Sequence, residues 1–279
     1  MIVSVLMAAL TAGSWTLYDM TPGDIDEYAA QLSAREPDFS ARVVAVANRS
    51  LGTPYADGPL GEGPAGVYDQ DPLVDFQRVD CVTFIEQTIA LASARSFDEA
   101  VDMLQRIRYK DGAIAFETRN HFMIADWIEN NPFCRDVTAE AGVPCAEVSR
   151  RISKRDFFER VNAPELGRFA LSRIVDLRYI PAAQAGEAAP NLPSPAVVVF
   201  VGKVDWLFAL HCGLFIRTDA DEGPQNMLYH ASSKAGCVVA EDFAGYLSGT
   251  ERYLGFTAYA IDNPAGRGAP SRDGEDSPE

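Results

Sequence analysis

One cysteine in this sequence stands where a side chain can act as a nucleophile. Cys81 follows Asp80 and precedes an apolar run, residues 82–91, that predicts a helix buried in the domain centre. With Asp80 as the N-cap, Cys81 falls in the first turn, where unpaired backbone N–H groups and the helix dipole favour thiolate over thiol. The alternative is a small, inert cysteine at the start of a core helix.

Two histidines supply the groups that such a nucleophile requires. His211 opens the strand-like segment 212–216, and His230 ends a second such segment, 227–229. A cysteine at a helix N-terminus, a histidine on a strand and a polar residue on the adjacent strand follow the order nucleophile, base and orienting residue. A lone strand histidine is more often structural, but two at neighbouring strand ends favour a catalytic interpretation.

The elements that position these residues differ between the two halves of the chain. The first half has the signals of helices: capped starts at Thr21-Pro22 and at Ser96 or Asp98, and helical segments at 39–50 and 123–129. The glycine- and proline-rich segment 56–72 predicts a surface loop that leads into the Cys81 helix, either as a wall of a substrate cleft or as a plain insertion.

The second half is rich in β-branched and apolar runs, which predict sequential, mostly antiparallel strands. The predicted strands are 170–179, 197–201, 211–216, 227–230, 237–240 and 253–261. We therefore predict an α+β fold in which N-terminal helices, including the Cys81 helix, pack on this sheet. Residues 181–195 form a connector within one domain that spans 21–261, and the polar tail 262–279 is expected to be disordered.

Composition limits the partners and the compartment. The net charge of −16 argues against nucleic acid and anionic membrane surfaces, and no apolar run has the length of a membrane span. Residues 1–20 contain a short apolar stretch, 2–10, followed by small residues, which resembles a clipped signal peptide without its basic start. A plain N-terminal strand or helix, or a misplaced start, is the alternative, so export to the periplasm or medium is expected and a cytoplasmic location stays open.

The five cysteines leave at least one thiol outside any intramolecular disulfides. Cys134 and Cys145 could close a loop if the protein is exported, whereas Cys212 and Cys237 are expected to be packed strand thiols. No C-x-x-C or other metal-ligand spacing occurs, so we predict neither a metal nor an organic cofactor.

Several ordered motifs carry a family resemblance. The first set resembles the motifs of NlpC-type cell-wall peptidases: Leu51-Gly52-Thr53-Pro54-Tyr55, Asp80-Cys81-Val82-Thr83-Phe84, His211-Cys212-Gly213-Leu214-Phe215-Ile216 and Tyr229-His230-Ala231. The second set resembles the N-acetylmuramoyl-L-alanine amidase-like branch: Ile107-Arg108-Tyr109-Lys110-Asp111-Gly112, Arg119-Asn120-His121-Phe122 and Trp127. The resemblance covers about residues 39–261 and implies a papain-like fold. Many relatives carry Gly-Asp ahead of the histidine strand where this chain has Ser194-Pro195-Ala196, a difference that affects the cleft rather than the chemistry.

The resemblance implies a role for each motif residue. Cys81 would be the nucleophile, His211 the general base and His230 the residue that orients it. Tyr55 and Asp80 fall where related enzymes place residues near the nucleophile or the substrate. Tyr55 could donate to the developing oxyanion, while Asp80 could serve only as the N-cap.

The middle region supplies the predicted substrate-binding residues. Arg119, Asn120 and His121 precede a short helix and either bind a ligand or cap that helix. Arg119 could hold a peptide carboxylate, and Trp127 could stack on a sugar if it is exposed rather than part of the core.

The resulting hypothesis is a monomeric cysteine amidase that acts on peptidoglycan fragments. It would hydrolyse the amide between N-acetylmuramic acid, or its anhydro form, and L-alanine through a thioester. A D-glutamyl-diaminopimelate endopeptidase, an acyltransferase and a catalytically silent peptidoglycan-binding protein are the alternatives.

Overall fold

The computed structural model describes residues 16–168, 172–220 and 223–266. The signal-like stretch and most of the predicted tail lie outside these ranges. The α-helices in this part of the chain are α1 (Pro22–Arg35), α2 (Phe39–Arg49), α3 (Cys81–Ser93), α4 (Phe97–Arg108), α5 (Ile128–Asn130), α6 (Lys154–Arg160), α7 (Ala185–Ala188) and α8 (Phe243–Ser248). The strands are β1 (Cys134–Asp136), β2 (Ala146–Ser153), β3 (Ser172–Pro181), β4 (Ala196–Gly202), β5 (Ala209–Ala220), β6 (Gly223–Ser232), β7 (Cys237–Asp242) and β8 (Tyr253–Ile261).

The N-terminal helices begin at the predicted caps. The Thr21 side chain accepts a hydrogen bond from the backbone N–H of Asp24, and the Asp24 carboxylate accepts one from the backbone N–H of Thr21. Helix α1 therefore starts with a capping box, and it has a proline in its first turn. Ser96 caps α4 in the same way through the backbone N–H of Glu99. The helices predicted for the first half are confirmed, except that the segment 123–129 begins with a π-helical turn, Met123–Trp127, which leads into the short α5. Segment 56–72 is an irregular loop as expected.

The strands form one antiparallel sheet in the order β2-β3-β8-β4-β5-β6-β7, with β1 paired to β8. Strands β4 to β7 are sequential neighbours, whereas β8 is inserted between β3 and β4. The α+β prediction is therefore confirmed at the level of the elements. Strands β1 and β2 escaped prediction because their sequences are polar, and the connector 181–195 contains helix α7 between short 3-10 turns.

The sheet separates two apolar cores. Helices α1 to α4 pack on one face, where β5 presents Cys212, Leu214 and Ile216. The opposite face is covered mainly by α7 and α8, and there the intervening Phe215 packs with Phe243. Side chains of successive strand residues point to opposite faces of the sheet, so those of His211 and Cys212 lie on opposite faces.

Candidate active site

The N-terminus of α3 is fixed by a complete capping arrangement. Asp80 Oδ1 accepts hydrogen bonds from the backbone N–H groups of Val82, at 2.9 Å, and Thr83, at 2.7 Å. The Thr83 hydroxyl in turn accepts from the Asp80 backbone N–H at 2.8 Å. Cys81 is consequently the first residue of the helix, as the sequence predicts, and its side chain is half-buried.

Two groups favour the thiolate form of Cys81. Hydrogen bonding by the Cys212 thiol, the largest contribution, and by His211 holds the pKa of Cys81 well below its usual range, against the opposing effect of burial. Cys212 is the less acidic member of the pair, because its contact with Cys81 and its own burial raise its pKa. The Cys212 Sγ also lies 3.4 Å from the Cys81 carbonyl oxygen. The ionised sulfur is therefore that of Cys81.

His211 and His230 meet edge to face on adjacent strands. Nε2 of His211 lies 2.6 Å from Nδ1 of His230, which leaves only Nδ1 of His211 available to Cys81. Burial, followed by the proximity of His211, lowers the pKa of His230 to about 3, so this ring is neutral over the physiological range. Gly213 makes the contact possible, since a Cβ there would lie 2.7 Å from the Tyr229 carbonyl and 3.0 Å from His230 Cβ.

Aromatic rings enclose the histidine pair on the helix α8 side. Phe200 stacks on His211 with ring centroids 5.9 Å apart, and Tyr246 of α8 contacts His230 at 5.0 Å. The Tyr246 hydroxyl is engaged with that of Tyr253 at 3.0 Å. These contacts restrict how far either imidazole can rotate, so the order of the site depends on α8 as well as on the sheet.

Tyr55 lies at the same end of the sheet as the nucleophile. It forms an isolated bridge with Val79, directly before the α3 cap. Burial and the nearby Asp57, Cys81 and Asp80 charges, in that order, raise the pKa of Tyr55. The structure thus brings Tyr55, Asp80 and Cys81 together, and the neutral phenol keeps its O–H available as a donor.

Arg119 and Trp127, by contrast, are engaged inside the protein rather than open to a ligand. Arg119 donates to Glu62 Oε1, at 2.8 Å from its Nε, and to Asp69 Oδ2, at 2.8 Å from its Nη2. Trp127 has 0% of its surface exposed and donates to Glu86 at 3.0 Å. Stacking of Trp127 on a sugar would require an exposed ring, and the indole is instead a core side chain.

Asn120 and His121 likewise serve the packing of the middle region. Asn120 is buried and donates to the Ile107 carbonyl at 3.0 Å. His121 sits among phenylalanine rings, with the Phe157 centroid 4.5 Å away, and its Nε2 lies 2.7 Å from the Phe116 carbonyl. Burial, the largest cause, lowers the pKa of His121 to about 3. In the structure both residues contact the protein itself. The sequence does not show the surroundings of His121, because the phenylalanine rings around it come together only in the fold.

A buried ionic network connects this middle region to the nucleophile helix. Glu86 of α3 accepts from Arg108 of α4 at 2.6 Å, and both side chains are at most 5% exposed. Arg108 also donates to the Leu60 carbonyl at 3.0 Å, and Tyr109 donates to the Gly61 carbonyl at 2.9 Å. The residues that resemble the amidase-like branch therefore hold loop 56–72 against α3 and α4.

All five cysteines are free. The disulfide considered for Cys134 and Cys145 is absent, since Cys134 packs in the helix-side core and Cys145 against the core on the other face of the sheet. Among the described residues, no group of three or more His, Cys, Asp or Glu could hold a metal ion. In the same part of the chain, no helix is long and apolar enough to cross a membrane.

Three residues of the site were not singled out from the sequence. Cys212 was expected to be an ordinary packed thiol, Tyr246 belongs to a short helix without a strong pattern, and Glu241 of β7 lies 3.4 Å from His230 Nε2. The only sequence signal for them is adjacency: Cys212 follows His211 directly. Their roles depend on the pairing of β5, β6 and β7, which the sequence does not specify.

Fold and site together define an α+β protein in which a cysteine of lowered pKa at a helix N-terminus adjoins two strand histidines. The sequence profile of the N-acetylmuramoyl-L-alanine amidase-like family matches residues 45–255, and the chain belongs to this family of amidase-like hydrolases. The resemblance drawn from the motifs is thereby confirmed. No curated protein sequence matches the chain significantly.

Solved structures agree with this fold. A DUF1460-family protein from Legionella pneumophila str. Philadelphia 1 superposes with a TM-score of 0.78 at 21% identity, over 88% of this chain and 95% of that protein. An N-acetylmuramoyl-L-alanine amidase from Bacteroides uniformis ATCC 8492 gives a TM-score of 0.65 at 24% identity, over 80% and 98%. A putative xylanase from Bacteroides fragilis gives 0.61 at 24% identity, over 77% and 98%. At these identities the likeness establishes the fold.

Proposed function

We propose that this protein is a cysteine-dependent amidase of peptidoglycan fragments. It hydrolyses the amide between the lactyl group of N-acetylmuramic acid, or its anhydro form, and L-alanine. The observation that carries the proposal is the position of Cys81, which is the first residue of α3 and is favoured as thiolate by Cys212 and His211. The family match and the antiparallel sheet behind the nucleophile helix support a papain-like, NlpC-type arrangement.

The first half of the reaction forms a thioester. The Cys81 thiolate attacks the lactyl carbonyl carbon, and the resulting oxyanion is stabilised by the Cys81 backbone N–H and the Tyr55 hydroxyl. The backbone N–H at the first helical position has no acceptor within the helix, so it is free for this role. His211, which has taken up the proton of the Cys81 thiol, delivers it to the amide nitrogen, the C–N bond breaks, and the L-alanine amine of the stem peptide leaves.

The second half returns the enzyme to its starting state. His211 accepts a proton from water, the hydroxide adds to the thioester carbonyl, and the C–S bond breaks to release muramic acid as the free acid, which then loses its proton to solvent. His230 keeps the His211 ring in orientation through the 2.6 Å contact. No further group is required for the atoms and charges to balance.

The choice of bond is supported by the family match and by the state of Asp80. An endopeptidase of this superfamily would need a carboxylate to engage a free peptide amine. Asp80 Oδ1 is already occupied by the α3 cap, and Oδ2 accepts from the Gly58 backbone N–H at 3.3 Å. Arg119 and Trp127, which the sequence suggested as contacts to the substrate, are better explained as parts of the scaffold. We place the enzyme in the periplasm or medium because its substrate is there.

Paired substrates and single-site variants test the proposal. A muropeptide and a sugar-free stem peptide are digested in parallel and the products are identified by mass spectrometry. We expect release of the intact stem peptide from the sugar and no cleavage of the free peptide. Cys81→Ala and His211→Ala should abolish turnover without unfolding, while His230→Ala retains residual activity. Cleavage of the free peptide at D-glutamyl-diaminopimelate with survival of the sugar-linked amide would contradict the proposal.

A further inference from the structure

The outer ring nitrogen of His230 lacks a hydrogen-bond partner. Nδ1 of this ring contacts His211, whereas Nε2 is buried and meets no acceptor at hydrogen-bonding geometry among the described residues. The side chain is only 2% exposed, so bulk water does not reach it freely. A buried ring nitrogen without a hydrogen-bond partner is unfavourable. A charged group close to this nitrogen can therefore decide which of the two ring nitrogens carries the proton.

Proton positions in the histidine pair follow from the proposed reaction. His211 contacts His230 through Nε2, so Nδ1 is the ring nitrogen left to act on Cys81. As a base His211 needs a free lone pair on Nδ1, which puts its proton on Nε2; after taking up a second proton it still carries hydrogen on Nε2. In both states Nε2 of His211 donates to Nδ1 of His230. A neutral His230 must then carry its own proton on Nε2.

Glu241 is placed to receive that proton. It lies on β7 opposite Leu228 and therefore diagonally from His230, which pairs with Val239. Its Oε1 lies 3.4 Å from His230 Nε2, just beyond ordinary hydrogen-bonding distance, and its side chain is 46% exposed. Tyr246 packs on the same ring, but its hydroxyl is taken by Tyr253.

We propose that Glu241 is a positioning residue that holds the proton of His230 on Nε2 and thereby keeps Nδ1 of His211 free to act on Cys81. This inference rests on the proposed function, since it assigns the proton order that a cysteine amidase requires. The site then has four members in sequence: Cys81, His211, His230 and Glu241. Glu241 touches neither the substrate nor the nucleophile and acts through His230.

The test compares three variants at one position with a matched control. Glu241→Leu and Glu241→Ala remove the acceptor, Glu241→Gln keeps an acceptor oxygen without the charge, and Glu251→Leu replaces an exposed glutamate after α8. The full chain is labelled with ¹⁵N-histidine, and NMR reports the tautomer of each of its three histidines. Rates of Cys81 alkylation by iodoacetamide and of muropeptide hydrolysis are measured on the same samples.

We expect Glu241→Leu and Glu241→Ala to lower kcat roughly tenfold or more, with KM changed less than about twofold, because the buried N–H of His230 then loses the carboxylate that lies near it. Both should weaken the Nε2–H signature of His230, whereas Glu241→Gln and Glu251→Leu should retain the wild-type tautomer and most of the activity. The inference is overturned if the acceptor-free variants keep the wild-type tautomer and kcat, or if only KM changes. If the wild-type protein leaves the muropeptide intact, the proposed function fails, yet the tautomer and alkylation measurements still decide the role of Glu241.

Discussion

Replacing Cys212 with alanine tests how the protein makes Cys81 reactive. The Cys212 side chain is 1% exposed, and the hydrogen bond from its thiol is the largest single cause of the lowered pKa of Cys81. Cys212→Ala removes this donor, while Cys212→Ser keeps an O–H donor at the same place and serves as the matched control. The comparison therefore separates loss of the hydrogen bond from a general disturbance of β5.

The expected magnitude follows from the strength of such contacts. A hydrogen bond to a charged group contributes about 1.5–3 kcal/mol, and a thiol is a weak donor, so the lower figure applies. At about 1.4 kcal/mol per factor of ten, the thiolate fraction below the titration midpoint falls about tenfold. The alkylation rate should fall less, by about threefold, because a more basic thiolate is also more nucleophilic.

Thiolate absorbance in the ultraviolet, followed as a function of pH, measures this fraction directly. A Cys81→Ala background is subtracted, because the chain has five cysteines. We expect the Cys81 transition to move to higher pH in Cys212→Ala and to stay close to the wild type in Cys212→Ser. A Cys212→Ala protein that titrates like the wild type would refute the role given to Cys212 and leave His211 as the group responsible.

Four further substitutions test the scaffold. Gly213→Ala should displace the His230 ring and reduce kcat more than stability, as seen by comparing turnover with the unfolding midpoint, because the new Cβ would lie 3.0 Å from His230 Cβ. Arg108→Met should cost about 3–5 kcal/mol in urea unfolding by leaving the buried Glu86 carboxylate without its cationic partner, and adding Glu86→Leu should recover much of this loss. A histidine whose pKa is about 3 when folded and 6.5 in the unfolded reference makes stability fall as pH drops between those values, since the unfolded chain then binds more protons. For His121 the loss at pH 5 reaches about 2 kcal/mol at most, and His121→Gln should lose correspondingly less; an equal loss in both proteins would contradict this.

Local signals predicted the helix that begins at Cys81, the proposed nucleophile. The apolar run after Cys81 and the capping residue Asp80 specify α3 through contacts within a few residues, and the structure reproduces them. The histidines were identified because His211 opens one strand-like segment and His230 ends another, and the two strands pair directly in the sheet. Features that depend on residues close together in the chain could therefore be predicted from the sequence alone.

Long-range contacts explain what the sequence did not give. Arg119 resembles a ligand-binding arginine until Glu62 and Asp69, more than 45 residues earlier in the chain, are placed against it. Glu241 carries no motif at all, and its relation to His230 arises only from the β6–β7 register. Cys212 changes from a packed thiol into a partner of Cys81 because α3 lies on its face of the sheet. In each case the decisive partner is fixed by tertiary pairing.

Trapping the acyl-enzyme tests the central claim most directly. The protein is mixed with an anhydro-muropeptide, the reaction is stopped with acid during turnover, and intact-mass analysis with peptide mapping locates the adduct. The proposed reaction predicts a thioester on Cys81 whose added mass equals the muramoyl acyl group without any amino acid. An adduct that retains L-alanine and D-glutamate, or turnover that continues in the Cys81→Ala variant, would contradict it.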